Sequence, residues 1–297
     1  MTDGSDWTPF VEPAPAKINL YLNVTGRRDD GYHYLESLVV FTEFGDLIRL
    51  APAPKLSLVR TGPFAAYLPE NPKDDLCLRA AQELAAVLGR DAGVAISLEK
   101  NIPVAAGIGG GSADAAAILR ALCRAWQIDP GLSQVLQVAS RLGADVPVCL
   151  RGCTAMMRGV GDIVSPRETD PELDLVLVNP NLPLSAAEVF AALSDEEIAS
   201  CNMQAPVDAN GSSSYMATLA KHRNDLTRPA RDLCPDVSDV LQALSGLANC
   251  QLARMSGSGP TCFGVFDSKE AAEQAAQEIL GSHPCWWVCP TRTQASL

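Results

Sequence analysis

The stretch from Ile102 to Arg120, IPVAAGIGGGSADAAAILR, constrains the fold of this 297-residue chain more than any other part of it. Four of its glycines fall within five residues, and glycine at that density lets a backbone turn tightly and direct several N–H groups into one cavity. The alanine-rich run that follows predicts a helix with Ser112 as its start signal, and the positive end of the helix dipole would face the same cavity. Ahead of the loop, Val94, Ile96 and Leu98 alternate with polar or small residues and predict a strand. The order of strand, glycine loop and helix predicts a binding site for phosphate.

The stretch does not match the two commonest phosphate-binding patterns. No Gly-Lys-Ser/Thr ends the loop, as a P-loop requires, and Gly107, Gly109 and Ser112 give only an imperfect dinucleotide pattern. A glycine-rich turn that merely connects a strand to a helix also fits the local sequence. A different nucleotide-binding architecture is therefore the hypothesis, with the plain turn as its alternative.

Composition and charge favour a small-molecule partner. The formal net charge of −12 and the pI near 4.7 argue against non-specific nucleic-acid binding. No apolar run approaches the roughly 20 residues that a membrane span needs, and the acidic first residues resemble neither a secretion signal nor a transit peptide. The ten cysteines are scattered through apolar segments and predict reduced core thiols. We expect a cytoplasmic protein, monomeric or weakly dimeric, with a short flexible N-terminal tail.

Two charged residues stand in unusual surroundings. From Ala16 to Thr25 apolar residues alternate with polar ones, which predicts a strand whose polar face carries Lys17 and Asn19; on a surface strand both would simply be solvated. Asp145 follows a helix that ends at Gly143, where an aspartate is by default a turn residue or a cap. The apolar residues after Asp145 would instead hold it at the mouth of the core, where a carboxylate usually needs a cationic partner, and Lys17 is the candidate.

The remaining pattern mixes helices and strands in both halves. Helices are predicted over Leu76 to Leu88 and Leu132 to Gly143, and a strand over Leu173 to Pro180. The runs LESLVVF and LIRL predict two strands separated by a turn at Gly45 and Asp46. The polar, serine-rich residues 194–217 predict a mobile loop. An α+β fold follows, with domains of residues 1–168 and 169–297.

Four segments carry a resemblance to a known family: PAKINLYLNVTGRRDDGYH (Pro15 to His33), PVAAGIGGGSADAA (Pro103 to Ala116), LGADVPVCLRG (Leu142 to Gly152) and MSGSGPTCF (Met255 to Phe263). The chain resembles the kinase superfamily named after galactokinase, homoserine kinase, mevalonate kinase and phosphomevalonate kinase. The resemblance implies an N-terminal ATP-binding domain like domain 2 of ribosomal protein S5 and a C-terminal ferredoxin-like domain. Within the superfamily, the DGYH element is typical of members that act on 4-diphosphocytidyl-2-C-methyl-D-erythritol, since relatives that act on homoserine or mevalonate have no cytosine to hold.

The resemblance also implies a reaction and its residues. The reaction is ATP-dependent phosphorylation of the substrate's 2-hydroxyl, in the non-mevalonate route to isoprenoid precursors. Asp145 would accept or orient the hydroxyl proton, and Lys17 would keep that carboxylate ionised and offset transferring charge. The diphosphocytidyl site would include Asn19, Tyr32 and His33. The ATP phosphates would be held by Pro103, Val104, Ala105, Ala106, Gly107, Ile108, Gly109, Gly110, Gly111 and Ser112.

Some features of the resemblance leave alternatives open. Mg²⁺ should accompany ATP, held mostly by phosphate oxygens and water, and no protein ligand to the metal is predicted. The motifs depart from the common pattern at Ala113, where a second serine is usual, and at Ser256 and Ser258, where threonine also occurs. How the family's hydroxyls at these positions are used therefore stays open. The acceptor could instead be homoserine, mevalonate or a sugar, and a non-catalytic ligand-binding relative is the third hypothesis; intact Lys17 and Asp145 argue against it.

Overall fold

The computed structural model describes residues 7–167, 170–199, 207, 212–294 and 296–297, and the elements below belong to these residues. The strands are β1 (Phe10–Arg27), β2 (His33–Pro52), β3 (Ser57–Thr61), β4 (Val94–Glu99), β5 (Ala155–Gly159), β6 (Ile163–Pro166), β7 (Asp174–Asn179), β8 (Cys250–Met255), β9 (Cys262–Phe266) and β10 (Trp287–Gln294). The α-helices are α1 (Leu76–Leu88), α2 (Gly110–Trp126), α3 (Ser133–Leu142), α4 (Val146–Arg151), α5 (Ala186–Ala191), α6 (Asp195–Ala199), α7 (Ser212–Leu219), α8 (Thr227–Leu233), α9 (Asp236–Ser245) and α10 (Lys269–Ser282). This mixture confirms the α+β prediction.

The strands form one sheet in which the last strand joins the two halves of the chain. Its order is β3-β4-β2-β10-β7-β9-β8, while β1 and β5 pair with β2 and β6 pairs with β5. Strand β10 pairs with β7 from Trp287 to Arg292 and then with β2 at Thr293 and Gln294. The predicted boundary between residues 168 and 169 precedes β7 and stays a prediction.

Strand β1 is buried on both faces, so the prediction of a solvated polar face is wrong. Every residue from Ala14 to Val24 is buried, including Lys17, Asn19 and Tyr21. The register of β1 against β2 shifts near residues 15–17 and again near 19–21, and such bulges re-aim side chains and break simple alternation. The polar residues of β1 therefore point into the interior of the molecule.

The hydrophobic core has three parts, and one of them joins the halves. One cluster packs α1 to α4 against the N-terminal part of the sheet, and a second packs α5 and α8 to α10 against the C-terminal part. The third contains Ile18 and Leu20 of β1 together with Leu175 and Phe263 of the second half. Because β1 contributes to this shared core, its polar residues lie between the two halves. In the first cluster, the buried alanines of α2 bring that helix close to the sheet.

Several predicted elements are confirmed, and their limits are instructive. Helix α1 has the predicted bounds, and α3 ends at Gly143 as predicted. The predicted turn at Gly45 and Asp46 is wrong, because β2 continues through it: a Cβ on Gly45 would lie 2.4 Å from the Ala14 oxygen, so glycine lets the strands approach where another residue could not. The predicted start of α2 at Ser112 is also wrong.

Helix α2 begins at Gly110, with Gly109 at the cap and without a side-chain capping bond. Gly109 has a φ of 68°, so the loop needs glycine where a serine cap would otherwise stand. The 194–217 loop prediction is wrong at its ends, which form α6 and α7, while residues 200–206 and 208–211 and the tail residues 1–6 lie outside the described residues. Among the described cysteines, the free thiols include Cys77, Cys123, Cys149, Cys234, Cys250, Cys262, Cys285 and Cys289. None of the described helices has both the length and the apolar character needed to cross a membrane.

Candidate active site

The glycine loop is tied to β1 and to the late glycine-serine turn by backbone and hydroxyl hydrogen bonds. The Lys17 N–H donates to the Ile108 oxygen at 3.0 Å. The Ser256 hydroxyl accepts from the Asn19 N–H at 3.1 Å and donates to the Gly107 oxygen at 3.3 Å. Three segments that are remote in sequence therefore meet at one point, and the Ser256 hydroxyl has a structural use there.

The close approach of these segments explains two of the glycines. Gly107 has a φ of 73°, and a Cβ there would lie 2.3 Å from the Gly259 oxygen. A Cβ on Gly109 would lie 3.1 Å from the Cβ of Lys17. Ala105 adopts a φ of 55°, a left-handed conformation that costs a residue with a side chain about 1–3 kcal/mol and that clusters at functional sites. The loop is thus shaped by backbone approach, ahead of the N-terminus of a 17-residue helix whose N–H groups suit an anion.

Lys17 and Asp145 form an ion pair beside this loop. The Lys17 Nζ lies 2.8 Å from the Asp145 Oδ2; the lysine side chain is 4% exposed and the aspartate side chain 36%. Asp145 lies in a turn at the cap position of α4, as the local sequence predicts, but its side chain makes no capping bond and pairs with Lys17 instead. Its carboxylate is held on one side by the buried ammonium and remains accessible on the other. A second molecule could therefore reach it.

A second charge cluster lies behind the loop and is sealed from solvent. Lys100 Nζ lies 2.5 Å from Asp46 Oδ2 and 2.7 Å from Asp114 Oδ2, and all three side chains are at most 3% exposed. The other Asp46 oxygen accepts the N–H groups of Asn101 and Ile102, the two residues that precede the loop. Since Asp114 belongs to α2, the cluster anchors the chain on both sides of the glycine loop.

The charges of this cluster are coupled. Burial raises the pKa of Asp114 to about 8, with Lys100 opposing the shift and Asp46 adding to it. Burial alone would lower the pKa of Lys100, but the two carboxylates outweigh it and raise that pKa. A lysine between two buried carboxylates leaves one negative charge in excess, which a single proton neutralises. Because burial raises the pKa of Asp114, we assign this proton to Asp114, whose Oδ1 is buried without a hydrogen-bond partner among the described residues.

The DGYH element lies at the other end of the cleft. His33 is 8% exposed and stacks against Phe190, with ring centroids 5.3 Å apart at 29°. Tyr32 is 63% exposed and presents its ring at the mouth of the cleft. Arg27 donates from Nε to the Nε2 of His33 at 3.1 Å. Burial, followed by the charge of Arg27, lowers the pKa of His33 against an opposing effect of Asp195.

Asn19 lies between the two ends. Its Nδ2 donates to the Ser37 hydroxyl at 2.7 Å, which fixes the amide from behind. Its Oδ1 is buried and has no hydrogen-bond partner in the described part of the chain. The residue is 2% exposed and lines the cleft, so the amide offers an acceptor to a bound molecule.

One cleft of about 960 Å³ joins the glycine loop, the Lys17–Asp145 pair, Asn19 and the DGYH element. Its lining includes Lys17, Asn19, Tyr32, His33, Gly107, Gly109, Ser112 and Asp145. A smaller cavity of about 300 Å³ lies on the other side of the loop and is lined by loop residues 103–107 and 109–112 with Leu68, Leu76 and Leu98. The smaller cavity is thus lined by five of the predicted loop residues that do not line the cleft: Pro103, Val104, Ala106, Gly110 and Gly111. Ile108 is buried in the core.

Comparisons with known proteins agree with this architecture. Residues 75–153 match the model of the GHMP kinases N terminal domain, and residues 212–283 match that of the GHMP kinases C terminal domain. A 4-diphosphocytidyl-2-C-methyl-D-erythritol kinase of Paramagnetospirillum magneticum is 48% identical over 96% of this chain and 99% of its own length. One from Cereibacter sphaeroides is 50% identical over 94% of this chain and 97% of its own. This chain belongs to the 4-diphosphocytidyl-2-C-methyl-D-erythritol kinase family.

Solved structures extend the comparison. The crystal structure of a 4-(cytidine 5'-diphospho)-2C-methyl-D-erythritol kinase is 33% identical, with a TM-score of 0.78 over 96% of this chain and all of that one. The homoserine kinase of Cytophaga hutchinsonii is 17% identical and has a TM-score of 0.73 over 98% of this chain and 96% of its own, which shows a common fold. Membership of the kinase family confirms the two-domain α+β kinase fold.

The structure adds a cleft residue from outside the motifs, Phe190, which packs on His33. Ser258, whose hydroxyl the motifs left without a role, lines the cleft beside Gly257. Nothing near Phe190 in the sequence links it to the DGYH element, because the two are joined only by the fold. Arg27 reads locally as one charge in a charged turn, and only its tertiary contacts distinguish it.

Proposed function

We propose that this chain transfers the γ-phosphoryl group of ATP to the 2-hydroxyl of 4-diphosphocytidyl-2-C-methyl-D-erythritol, a step of the non-mevalonate route to isoprenoid precursors. The observation that carries the proposal is the arrangement of one cleft: the pair Lys17–Asp145 lies in it together with the glycine loop and with Tyr32 and His33. A phosphoryl donor and an acceptor held at these two ends would meet at the pair. Family membership supports the same acceptor.

The donor would lie across the glycine loop. The two cavities share Ala105, Gly107, Gly109 and Ser112, so a nucleotide in the smaller cavity can extend its phosphates into the cleft. The leucines of the smaller cavity suit a purine base, and the N–H groups at the start of α2 suit phosphate oxygens. Residues 103–112 would thereby position the γ-phosphorus near Lys17.

Transfer needs positioning and charge neutralisation, with no covalent enzyme intermediate. The accessible carboxylate of Asp145 would take the proton of the acceptor hydroxyl as its oxygen forms a bond to the γ-phosphorus, while the bond from that phosphorus to the bridging oxygen of ADP breaks. Lys17 would stabilise the charge that moves onto the transferring group, because its ammonium is buried beside the loop. Both reacting ends are therefore served by one ion pair.

The acceptor would be held along the rest of the cleft. The unpartnered Oδ1 of Asn19 can accept a hydrogen bond from a substrate hydroxyl. The exposed ring of Tyr32 offers a stacking surface for cytosine, and the ring of His33 offers a polar edge. These roles combine the family resemblance with the position of each side chain.

Mg²⁺ would enter with the nucleotide. The described residues contain no cluster of three or more His, Cys, Asp or Glu side chains suited to a metal ion, and Mg²⁺ commonly keeps several waters and binds substrate phosphates. The oxygen donors that line the cleft beside the loop include the Asp145 carboxylate and the Ser112 hydroxyl. They fit a phosphate-bound Mg²⁺, which when bound neutralises charge on the β- and γ-phosphates.

The test is a coupled assay of ADP release by the purified protein with Mg-ATP and 4-diphosphocytidyl-2-C-methyl-D-erythritol, with mass spectrometry of the acceptor. We expect ADP and an acceptor heavier by one phosphate. Homoserine, mevalonate and galactose serve as competing acceptors in parallel. Turnover with one of these and none with the cytidine compound would refute the assignment, and binding without turnover of any acceptor would favour the non-catalytic relative. Cytoplasmic location and a monomeric or weakly dimeric state remain predictions.

A further inference from the structure

Arg27, the last residue of β1, uses all three nitrogens of its guanidinium. Besides the bond from Nε to His33, its Nη2 donates to the Leu193 oxygen at 2.8 Å and its Nη1 lies 3.0 Å from the Asp195 Oδ1. Leu193 follows helix α5, which carries Phe190, and Phe190 stacks on His33. One side chain therefore joins the DGYH element to the segment that covers it.

The contact between Arg27 and His33 determines which ring nitrogen carries the proton. A guanidinium only donates hydrogen bonds, so His33 Nε2 must accept and cannot carry a proton. In a neutral imidazole the proton is then on Nδ1. Burial and the charge of Arg27 both lower the pKa of His33, which favours the neutral ring against the opposing effect of Asp195.

The ring is also fixed in orientation. Phe190 covers one face at 5.3 Å, and the Arg27 bond holds the Nε2 edge. Nδ1 has no hydrogen-bond partner among the described residues, and His33 lines the cleft. The ring thus offers an oriented Nδ1–H donor to a bound molecule.

We propose that Arg27 is a positioning residue that determines base specificity: by donating to His33 Nε2 it keeps Nδ1–H as a hydrogen-bond donor, which pairs with N3 of cytosine and rejects uracil. The N3 atom of cytosine is an acceptor, whereas uracil carries a proton there and would place two donors against each other. This inference rests on the proposed function, in which the DGYH end holds the base. A buried donor left without an acceptor costs about 1–3 kcal/mol, or a factor of roughly 5 to 150 in binding.

Steady-state kinetics with matched substrates test the specificity. For the unchanged protein we expect kcat/KM for the cytidine substrate to exceed that for its uridine counterpart by at least about 10-fold. Arg27→Met should reduce this preference several-fold, because the ring can then carry its proton on either nitrogen. The effect should appear in KM, while kcat stays nearly constant. Arg27→Lys, which keeps a cationic donor, should retain more of the preference than Arg27→Met.

A matched control comes from the neighbouring residue. Arg28 belongs to the same turn and pairs with Asp30 at 2.8 Å, and its side chain is not bonded to His33. Arg28→Met removes the same charge and should leave the base preference unchanged. An equal loss of preference in both variants would overturn the inference, since charge alone would then explain it.

Nitrogen-15 NMR of labelled histidine tests the tautomer without turnover. The chain has three histidines, so His33→Gln assigns the signal. We expect Nδ1 of His33 to be protonated and Nε2 unprotonated, and Arg27→Met to increase the fraction of the other tautomer. A protonated Nε2 in the unchanged protein overturns the inference. If the unchanged protein does not phosphorylate the cytidine substrate, the proposed function fails, while the NMR result still decides the part played by Arg27.

Discussion

Two lysines lie on opposite sides of the glycine loop, each bonded to aspartate, and they differ in solvent access. Lys17 pairs with one carboxylate that is 36% exposed. Lys100 pairs with two carboxylates, Asp46 and Asp114, that are at most 3% exposed. The carboxylate of the first pair is open to a molecule in the cleft, whereas the second cluster is buried, with Lys100 and Asp114 bordering the smaller cavity.

The comparison indicates that solvent access, rather than residue type, distinguishes the ion pair proposed for catalysis from the one that supports the loop. Both lysines follow or form part of a strand, and both contact the loop: Lys17 through its N–H to Ile108, and Lys100 through the carboxylates that hold either end. Burying a charged pair costs desolvation free energy, and the Coulomb attraction between the charges offsets only part of it. The sealed cluster therefore adds little to the net stability of the fold. Removing one of its members is a different matter, because a buried charge is then left without a partner.

The largest expected effect is on catalysis at the Lys17–Asp145 pair, the open pair of the two. Asp145→Asn keeps the size of the side chain but removes the proton acceptor, and we expect kcat to fall by about 10²- to 10⁴-fold. The KM values for ATP and for the acceptor should change by no more than a few-fold, and the melting temperature should fall only modestly, because the buried Lys17 ammonium loses its ion-pair partner but keeps a neutral amide beside it. Steady-state kinetics with a thermal melt measure all of these. A kcat near the original value would show that Asp145 is not the base.

The next effect concerns stability, for which the buried Lys100 cluster should matter more than the Lys17–Asp145 pair. Lys100→Met leaves two carboxylates buried without their cation, and we expect the free energy of unfolding to fall by about 3–5 kcal/mol. Lys17→Met is the matched control, since water can reach Asp145; it should lose less stability and nearly all activity. Urea titrations of both variants measure the difference. Equal losses of stability would mean that access does not distinguish the two lysines.

Much of the open site could be predicted from the sequence, because its members lie in motifs. Lys17, Asp145 and the glycine loop each have a recognisable local setting, and the structure brings them together. Helix α1 and strand β4 follow from periodicity, which depends on neighbouring residues alone. Local pattern and recognisable motif therefore account for most of the fold and for the proposed reaction centre.

The sealed cluster and the DGYH end of the cleft depend on contacts that the sequence does not display. Asp46 reads as a turn residue, yet its carboxylate accepts N–H groups from residues more than fifty positions away. Arg27 reads as one charge in a charged turn until Leu193 and His33 are brought to it. Ser112 reads as a helix cap, but the backbone must pass Lys17 and only Gly109 permits that. In each case tertiary packing overrides the local preference.

The smallest expected effect is the pH dependence of stability that comes from the proton held by the sealed cluster. The pKa of Asp114 is raised from its ordinary value of 3.8 to about 8, so the folded protein holds a proton that the unfolded chain loses above pH 4. Folding therefore takes up a proton between about pH 4 and pH 8, and this contribution to stability is lost as the pH rises through that window. Each pH unit within it lowers the free energy of unfolding by up to about 1.4 kcal/mol.

Asp114→Asn resembles the protonated carboxyl and cannot titrate, so its stability relative to the unchanged protein should rise steadily from pH 6 to pH 8 and then level off. Urea unfolding of both proteins at pH 6, 7, 8 and 9 gives this difference, in which titrating groups remote from the cluster largely cancel. Asp46→Asn is the matched control: it removes the charge that faces both Lys100 and the N–H groups ahead of the loop, and should be less stable than the unchanged protein throughout. Parallel curves for Asp114→Asn and the unchanged protein would show that the cluster takes up no proton on folding. The two sides of the loop would then differ in the charge they carry as well as in access.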